Sequence, residues 1–333
     1  VTRRDALLAV LVSVCWGVNF LAIHASLEHY PPMFLVALRF AVIAVPTLLL
    51  VRRPQVPARW LVGYGVGFGV LQFVFLYAGM AAGMPVGLSS LVLQASAPFT
   101  VLIAAACLGE RPSRATWVGI AVAMAGLLVI AAYRGLTVSL LPTVLVLLGA
   151  LGWALGNIAS RQAQAQAGPA SASPFALMLW MTVVPPLPML ALSLLVEGPD
   201  RILASLGSAV GPGAAPEAAA ANLGLLYTVV VGTLVGSGLW TLLLRRNPSS
   251  AVAPFSMLVP VTGITTAWLV LGETPALAEV LGGVLVVGGV LLPHAWRRRR
   301  GSRAAAGAGS GVGEDLGAVG GDEEGVLELR RAP

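Results

Sequence analysis

Read for its apolar and polar positions, the chain alternates between long hydrophobic runs and short polar links. A spanning helix needs ~20 mostly apolar residues, and ten runs qualify: 6–24, 33–51, 61–81, 86–108, 116–132, 141–160, 175–196, 222–244, 251–271 and 276–295. Hydrocarbon offers no partner to a backbone N–H or C=O, so runs of this length must satisfy those groups internally as helices. The pattern therefore predicts an all-α integral membrane protein with ten transmembrane helices. The first run, preceded by Arg3 and Arg4, resembles a secretory leader, but nine further runs make it the first membrane helix. The segment 197–221 reads as one long external loop, and the Gly-, Ala- and acid-rich stretch after Arg297–Arg300 reads as a disordered cytoplasmic tail.

The runs repeat. Leu108-Gly109-Glu110 closes the fourth and Leu271-Gly272-Glu273 closes the ninth, at an offset of 163 residues. Gly119 and Gly126 of the fifth run match Gly282 and Gly289 of the tenth at that same offset of 163. Trp16 with Asn19 in the first run is echoed by Trp153 with Asn157 in the sixth. The expected organisation is a five-helix repeat over 1–135, a second over 136–296, and a basic cluster with its tail over 297–333. An odd number of spans per copy inserts the second copy upside down, the inverted-repeat plan of many carriers, with the substrate site near the midplane between copies.

Composition agrees and adds direction. Hydrophobic residues make up 57% of the 333 and charged residues 10%, against roughly 25% charged in soluble domains. Every one of the 20 basic residues is arginine. Arg3, Arg4, Arg52, Arg53, Arg59, Arg111, Arg114, Arg161, Arg245, Arg246 and seven tail arginines fall on one side, with only Arg134 and Arg201 on the other. Arginine bias of this kind marks the cytoplasmic side, so both termini are expected in the cytoplasm. The positive charge reads as topology and as attraction to anionic lipid headgroups, and nucleic acid is not an expected partner. The absence of lysine removes a phosphate-binding GxxxxGK[ST] loop and Schiff-base chemistry. Cys15 and Cys107 lie inside spans, and His24, His29 and His294 lie at span edges with His294 far from the other two, so neither a disulfide framework nor a metal site is expected. With no deep carboxylate pair either, the chain is not expected to be an enzyme and implies no cofactor.

The few polar residues at membrane depth are the candidate site: Asn19, Arg39, Gln72, Gln94, Ser96, Asn157 and Ser237. Each amide either lines a cavity or hydrogen-bonds a neighbouring helix. Arg39 lies about two turns below the outer end of the second span, where it can snorkel or face a watery cavity, and serves as a structural anchor or binds a carboxylate. Trp16, Tyr77, Trp153, Trp180 and Trp240 sit within spans, where they serve packing or present ring faces to an ammonium group. Glu110 and Glu273 stand just before new helices and are expected to interact with a helix N-terminus. Gly63, Gly65, Gly67 and Gly69, with Gly232 and Gly236, predict close helix contacts. Pro98, Pro185, Pro254 and Pro260 predict interrupted helices with freed carbonyls.

The runs WGVNF at 16–20, ALRF at 37–40, GMPVGLSSLVLQASAPFT at 83–100, LGE at 108–110, WALGNI at 153–158 and PFSMLVPVTG at 254–263 resemble the drug/metabolite transporter superfamily. More narrowly they look like its EamA-type exporters of cysteine and O-acetylserine, over roughly residues 2–296. The resemblance implies a ten-helix carrier of a bacterial-type plasma (inner) membrane, and Trp16, Asn19, Gln94, Trp153 and Asn157 occupy its motif positions. It implies export of a small amino-acid-related metabolite by alternating access. Aromatic amino acids or drug-like compounds are the alternative cargo, and a non-transporting scaffold or sensor the remote alternative.

Overall fold

The computed structural model describes residues 2–137, 139–167, 173–247 and 252–292. The expected tail and the last residues of the tenth run lie outside them. Ten apolar helices follow one another: α1 (Arg3–Leu27), α2 (Pro32–Leu50), α3 (Ala58–Ala81), α4 (Val86–Leu108), α5 (Arg114–Leu136), α6 (Leu141–Ala165), α7 (Pro174–Val196), α8 (Ala218–Arg246), α9 (Pro254–Leu271) and α10 (Leu277–Leu292). The first nine are long and apolar enough to cross a membrane, and α10 is shorter within the described residues. The protein is a multi-pass membrane protein built as two inverted five-helix repeats.

Proline and polar caps set the starts of these helices. Thr2 caps α1 by accepting from the Asp5 N–H at 3.1 Å, and Ser173 caps α7 through the Ala176 N–H at 3.2 Å. Pro31 and Pro32 open α2, Pro85 precedes α4 and Pro174 opens α7, positions where the missing N–H costs nothing. Gly109 and Gly272 end α4 and α9 in the left-handed region at φ 66° and 68°, which only glycine enters without strain. The segment 197–221 departs from an extended loop: Pro199–Gly207 is helical. Pro199 and Asp200 favour its start, and buried Ile202 and Ser205 anchor it to the bundle.

The halves interlock by exchange. α1 packs on α8 and α9, and the corresponding α6 packs on α3 and α4; α2 pairs with α7 and α4 with α9. Missing side chains permit this: a Cβ on Gly67 would sit 2.5 Å from the Gly156 nitrogen, one on Gly152 2.7 Å from the Gln72 nitrogen, and one on Gly126 2.5 Å from the Gly282 oxygen. The last contact joins α5 to α10. Arg246 with Asp5 (3.9 Å), Arg161 with Glu110, and Arg59 with Gln166 (3.2 Å) gather at one end, here called the arginine-rich end.

Two helices change pitch inside the bilayer. α3 carries a π-helical segment, Gly65–Leu71, and α8 carries another, Thr228–Val235. Their starts are separated by the same 163 residues as the LGE motifs. Each segment meets the first helix of the other half: Phe68 lies 6.0 Å from the Trp153 ring of α6, and the Gly232 carbonyl accepts from Trp16 Nε1 of α1 at 2.9 Å. The proline breaks appear as well. Pro185 ends a turn that divides α7, and Pro254 lies in a 3₁₀ segment, Ala253–Met257, whose freed carbonyls accept from Ser13 Oγ at Phe255 (2.7 Å) and from Gln94 Nε2 at Ser256 (3.4 Å).

Candidate functional site

Arg39 stands at the seam between the halves. It is 4% exposed, donates from Nη1 to the Tyr77 hydroxyl of α3 at 2.9 Å and from Nη2 to Thr233 Oγ1 of α8 at 3.1 Å. Its guanidinium lies 4.2 Å from the Phe73 ring centroid and 5.1 Å from that of Phe40. Among the described residues no carboxylate lies within ion-pair distance, and Nε has no hydrogen-bond partner. Two neutral oxygens and two ring faces hold the cation inside. Cation–π contacts of this kind contribute ~0.5–2 kcal/mol each, less than an unpaired ion loses on leaving water. The π-segment serves this arrangement, since Thr233 Oγ1 donates to the Thr228 carbonyl five residues back at 2.9 Å and so turns its lone pairs to Arg39.

A row of rings leads away from Arg39 along α3. Tyr77, Phe73, Phe68 and Tyr64 follow at centroid spacings of 5.6, 6.0 and 5.7 Å, with Trp153 flanking Phe68 and Phe40 5.4 Å from Phe73. Sequence reasoning singled out Tyr77 and Trp153 and missed Phe40, Phe68, Phe73 and Thr233. A signal existed. Residues 64, 68, 73 and 77 are spaced four, five and four apart, and the five matches the wider turn of the π-segment.

Across the seam, Trp16 packs against Trp240 with the rings tilted by 52° and their centroids 5.2 Å apart. The Asn19 side-chain oxygen is buried without a partner, and a Cβ on Gly232 would come within 2.7 Å of it. Gln72 also has a buried, unpartnered side-chain oxygen, while Gln94 reaches the Ser256 carbonyl and Met257 Sδ at 3.8 Å. The two asparagines differ. Asn157 donates to Thr100 Oγ1 of α4 at 3.2 Å, an interhelical bond, whereas Asn19 keeps a free acceptor. Ser237 is half-buried one turn beyond Thr233. Trp180 is set apart: its Nε1 donates to the Val51 carbonyl at 3.1 Å and its ring packs with Trp60 and Leu177 at the arginine-rich end.

At the opposite end, polar contacts tie the halves together. The Tyr30 hydroxyl donates to Asn222 Oδ1 at 2.5 Å, and burial pushes its pKa up. His29 Nε2 meets the Ser205 carbonyl at 2.8 Å. Glu197 accepts the Met33 and Phe34 N–H groups at 2.7 and 3.0 Å, and Glu273 those of Val86 and Gly87 at 2.9 and 3.1 Å. Glu273 does interact with a helix N-terminus, but that of α4 and not of the helix it precedes. Glu279 already serves α10, accepting from the Ala276 N–H at 3.0 Å. The corresponding partner region of Glu110, near 249, lies outside the described residues.

Inverted five-helix halves that exchange partners around an unpaired cation and free amide oxygens make the architecture of a membrane transporter. The chain belongs to the EamA-like transporter family, which matches residues 4–132 and 140–293. It is 40% identical over 293 residues to a probable amino-acid metabolite efflux pump of Salmonella typhimurium, covering 87% of this chain and 95% of the relative. A protein of the same description from Escherichia coli is 38% identical, with 87% and 95% covered. A probable terminal-alkyne amino-acid exporter of Streptantibioticus cattleyicolor is 27% identical, with 88% and 94% covered. One crystal structure, 19% identical, shares the fold at a TM-score of 0.56 over 90% of this chain and 99% of its own.

Proposed function

We propose that this chain exports small amino-acid metabolites across the inner membrane, with cysteine and O-acetylserine as the cargo type. Arg39 carries this reading. It is a buried guanidinium with an unpartnered Nε and no carboxylate near it among the described residues, so a substrate carboxylate supplies the counter-ion the protein omits. The free oxygens of Asn19 and Gln72 and the faces of Phe68, Trp153 and Trp16 suit the ammonium. The names of the relatives agree with the cargo class.

In this reading the arginine-rich end is cytoplasmic. Trp16, Asn19, Trp153 and Asn157 are half-exposed, Arg39, Tyr77 and Thr233 are buried, and polar contacts join the halves at the opposite end. Substrate then enters from the cytoplasm and meets a closed outer end, and the halves rock about it. The test is efflux of labelled cysteine, O-acetylserine and phenylalanine from cells carrying wild type, Arg39→Gln or Arg39→Lys. A charge-assisted hydrogen bond contributes ~1.5–3 kcal/mol, so the Gln variant should lose about tenfold or more in cysteine efflux per folded molecule, and Lys should lose less. Unchanged efflux from Arg39→Gln would refute the assignment. The ring row from Tyr64 to Tyr77 favours a second cargo, aromatic amino acids or drug-like compounds, and phenylalanine efflux exceeding cysteine efflux would select it.

A further inference from the structure

A second charged site lies away from the seam row, at the opposite end, between the outer ends of α4 and α5 of one half and α9 and α10 of the other. A cavity of about 270 Å³ opens there, walled by Leu88, Leu91 and Ile264 and by Arg134, Glu273 and Glu279. It is close to the lower bound of small-molecule pockets, ~300 Å³. Arg134 and Glu279 are 6% and 8% exposed. Their places have a local cause, since a cation suits the last turn of α5 and an anion the first turn of α10. Their spacing does not. Nη1 of Arg134 stands 3.8 Å from Glu279 Oε1, beyond hydrogen-bond length, and its Nε is buried without a partner. A buried pair in a low-dielectric site gains most when it closes to direct hydrogen bonds; this one is held apart beside a cavity.

We propose that this cavity binds a small zwitterion, its oxoanion on the Arg134 guanidinium and its ammonium on the Glu279 carboxylate, as a site separate from the central one. A ligand carrying both charges fits the groups that face the space. Both Glu273 oxygens are engaged by the α4 N–H groups and Glu279 Oε2 by the Ala276 N–H, which leaves the Arg134 guanidinium and Glu279 Oε1 side by side with hydrogen-bonding capacity to spare. The leucine and isoleucine walls take a short apolar side chain. Because α4 and α5 belong to one half and α9 and α10 to the other, the ligand is gripped by both halves. Its location outside the cell rests on the orientation proposed above; the binding chemistry does not. The same chemistry describes a free amino acid and the headgroup of phosphatidylethanolamine.

The test counts binding events of S-methyl-L-cysteine on the purified full chain in nanodiscs of phosphatidylcholine and phosphatidylglycerol. Wild type should bind two. Arg134→Gln and Glu279→Gln should each reduce this to one, and so should the double variant, which removes both charges and leaves neither buried alone. Arg39→Gln should remove the other event. An unchanged count in a double variant that retains its helical content and monodispersity overturns the proposal. A single wild-type event abolished by Arg39→Gln also overturns it and leaves the central reading intact. A single event abolished only by the Arg134 and Glu279 changes does the reverse. If one of two events vanishes when phosphatidylethanolamine is added to the discs, the zwitterion chemistry stands and the lipid headgroup is its source.

Discussion

Asn19 and Asn157 look equivalent in the repeat, yet replacing each with leucine should separate them. Asn157 donates to Thr100 at 3.2 Å, so Asn157→Leu removes an interhelical hydrogen bond, which averages ~0.6 kcal/mol in membrane proteins with a maximum near 1.7. Asn19 has a buried oxygen with no partner. An unsatisfied buried group costs ~1–3 kcal/mol, so Asn19→Leu should leave stability unchanged or raise it by up to about 1 kcal/mol once the tight approach to Gly232 is absorbed. Transport should move the other way. If the oxygen is kept free for the cargo ammonium, Asn19→Leu lowers efflux per folded molecule several-fold, while Asn157→Leu lowers it only as far as folded protein falls. Reversible unfolding in mixed micelles gives the first quantity, and efflux normalised to folded protein gives the second. A destabilised Asn19→Leu with normal efflux per folded molecule would refute the reasoning and make both asparagines structural.

Single cysteines at Arg53 and Arg246 in a background lacking Cys15 and Cys107 should resist an impermeant thiol reagent in intact cells, and one at Ala215 should label; labelling of the Arg246 position from outside overturns the orientation. Glu273→Ala should lower stability by roughly 1–2 kcal/mol, the scale of a lost helix cap, as read by thermal unfolding, because two α4 N–H groups lose their acceptor; an unchanged melting temperature contradicts the cap. Gly67→Leu should abolish folded protein on size-exclusion chromatography, since its Cβ would already meet Gly156 at 2.5 Å. Deleting residues 304–333 should leave efflux intact at equal expression, and a complete loss would assign the tail a regulatory role.

The fold was legible because hydrocarbon imposes so strong a constraint: apolar runs became helices to within a few residues, and the repeated LGE turn reappears as matching left-handed Gly109 and Gly272. The loop 197–221 misled because its polarity hides a short helix that is anchored by a single buried apolar residue, Ile202, with Ser205. At the site, Arg39 could be picked out by its cost in a membrane, but its partners could not. Phe40 and Phe73 look like lipid-facing or core residues in any hydrophobic run, and Thr233 like a neutral filler. Trp180 was grouped with Trp16, Tyr77, Trp153 and Trp240 because depth along a span says nothing about which face a ring occupies. The π-segments were hidden for a related reason: a helix is inferred with a fixed pitch, and the added residue shows only in the four-five-four spacing of the rings on α3.

The glutamate caps have a consequence for how the molecule is made. The first turns of α2 and α4 belong to the half synthesised first, yet Glu197 and Glu273, which accept their N–H groups, come at the ends of α7 and α9. Until those later helices emerge from the ribosome, two helix starts at one membrane surface have only water and headgroups for partners. The first half is thus inserted before it is finished, and its completion waits on the second.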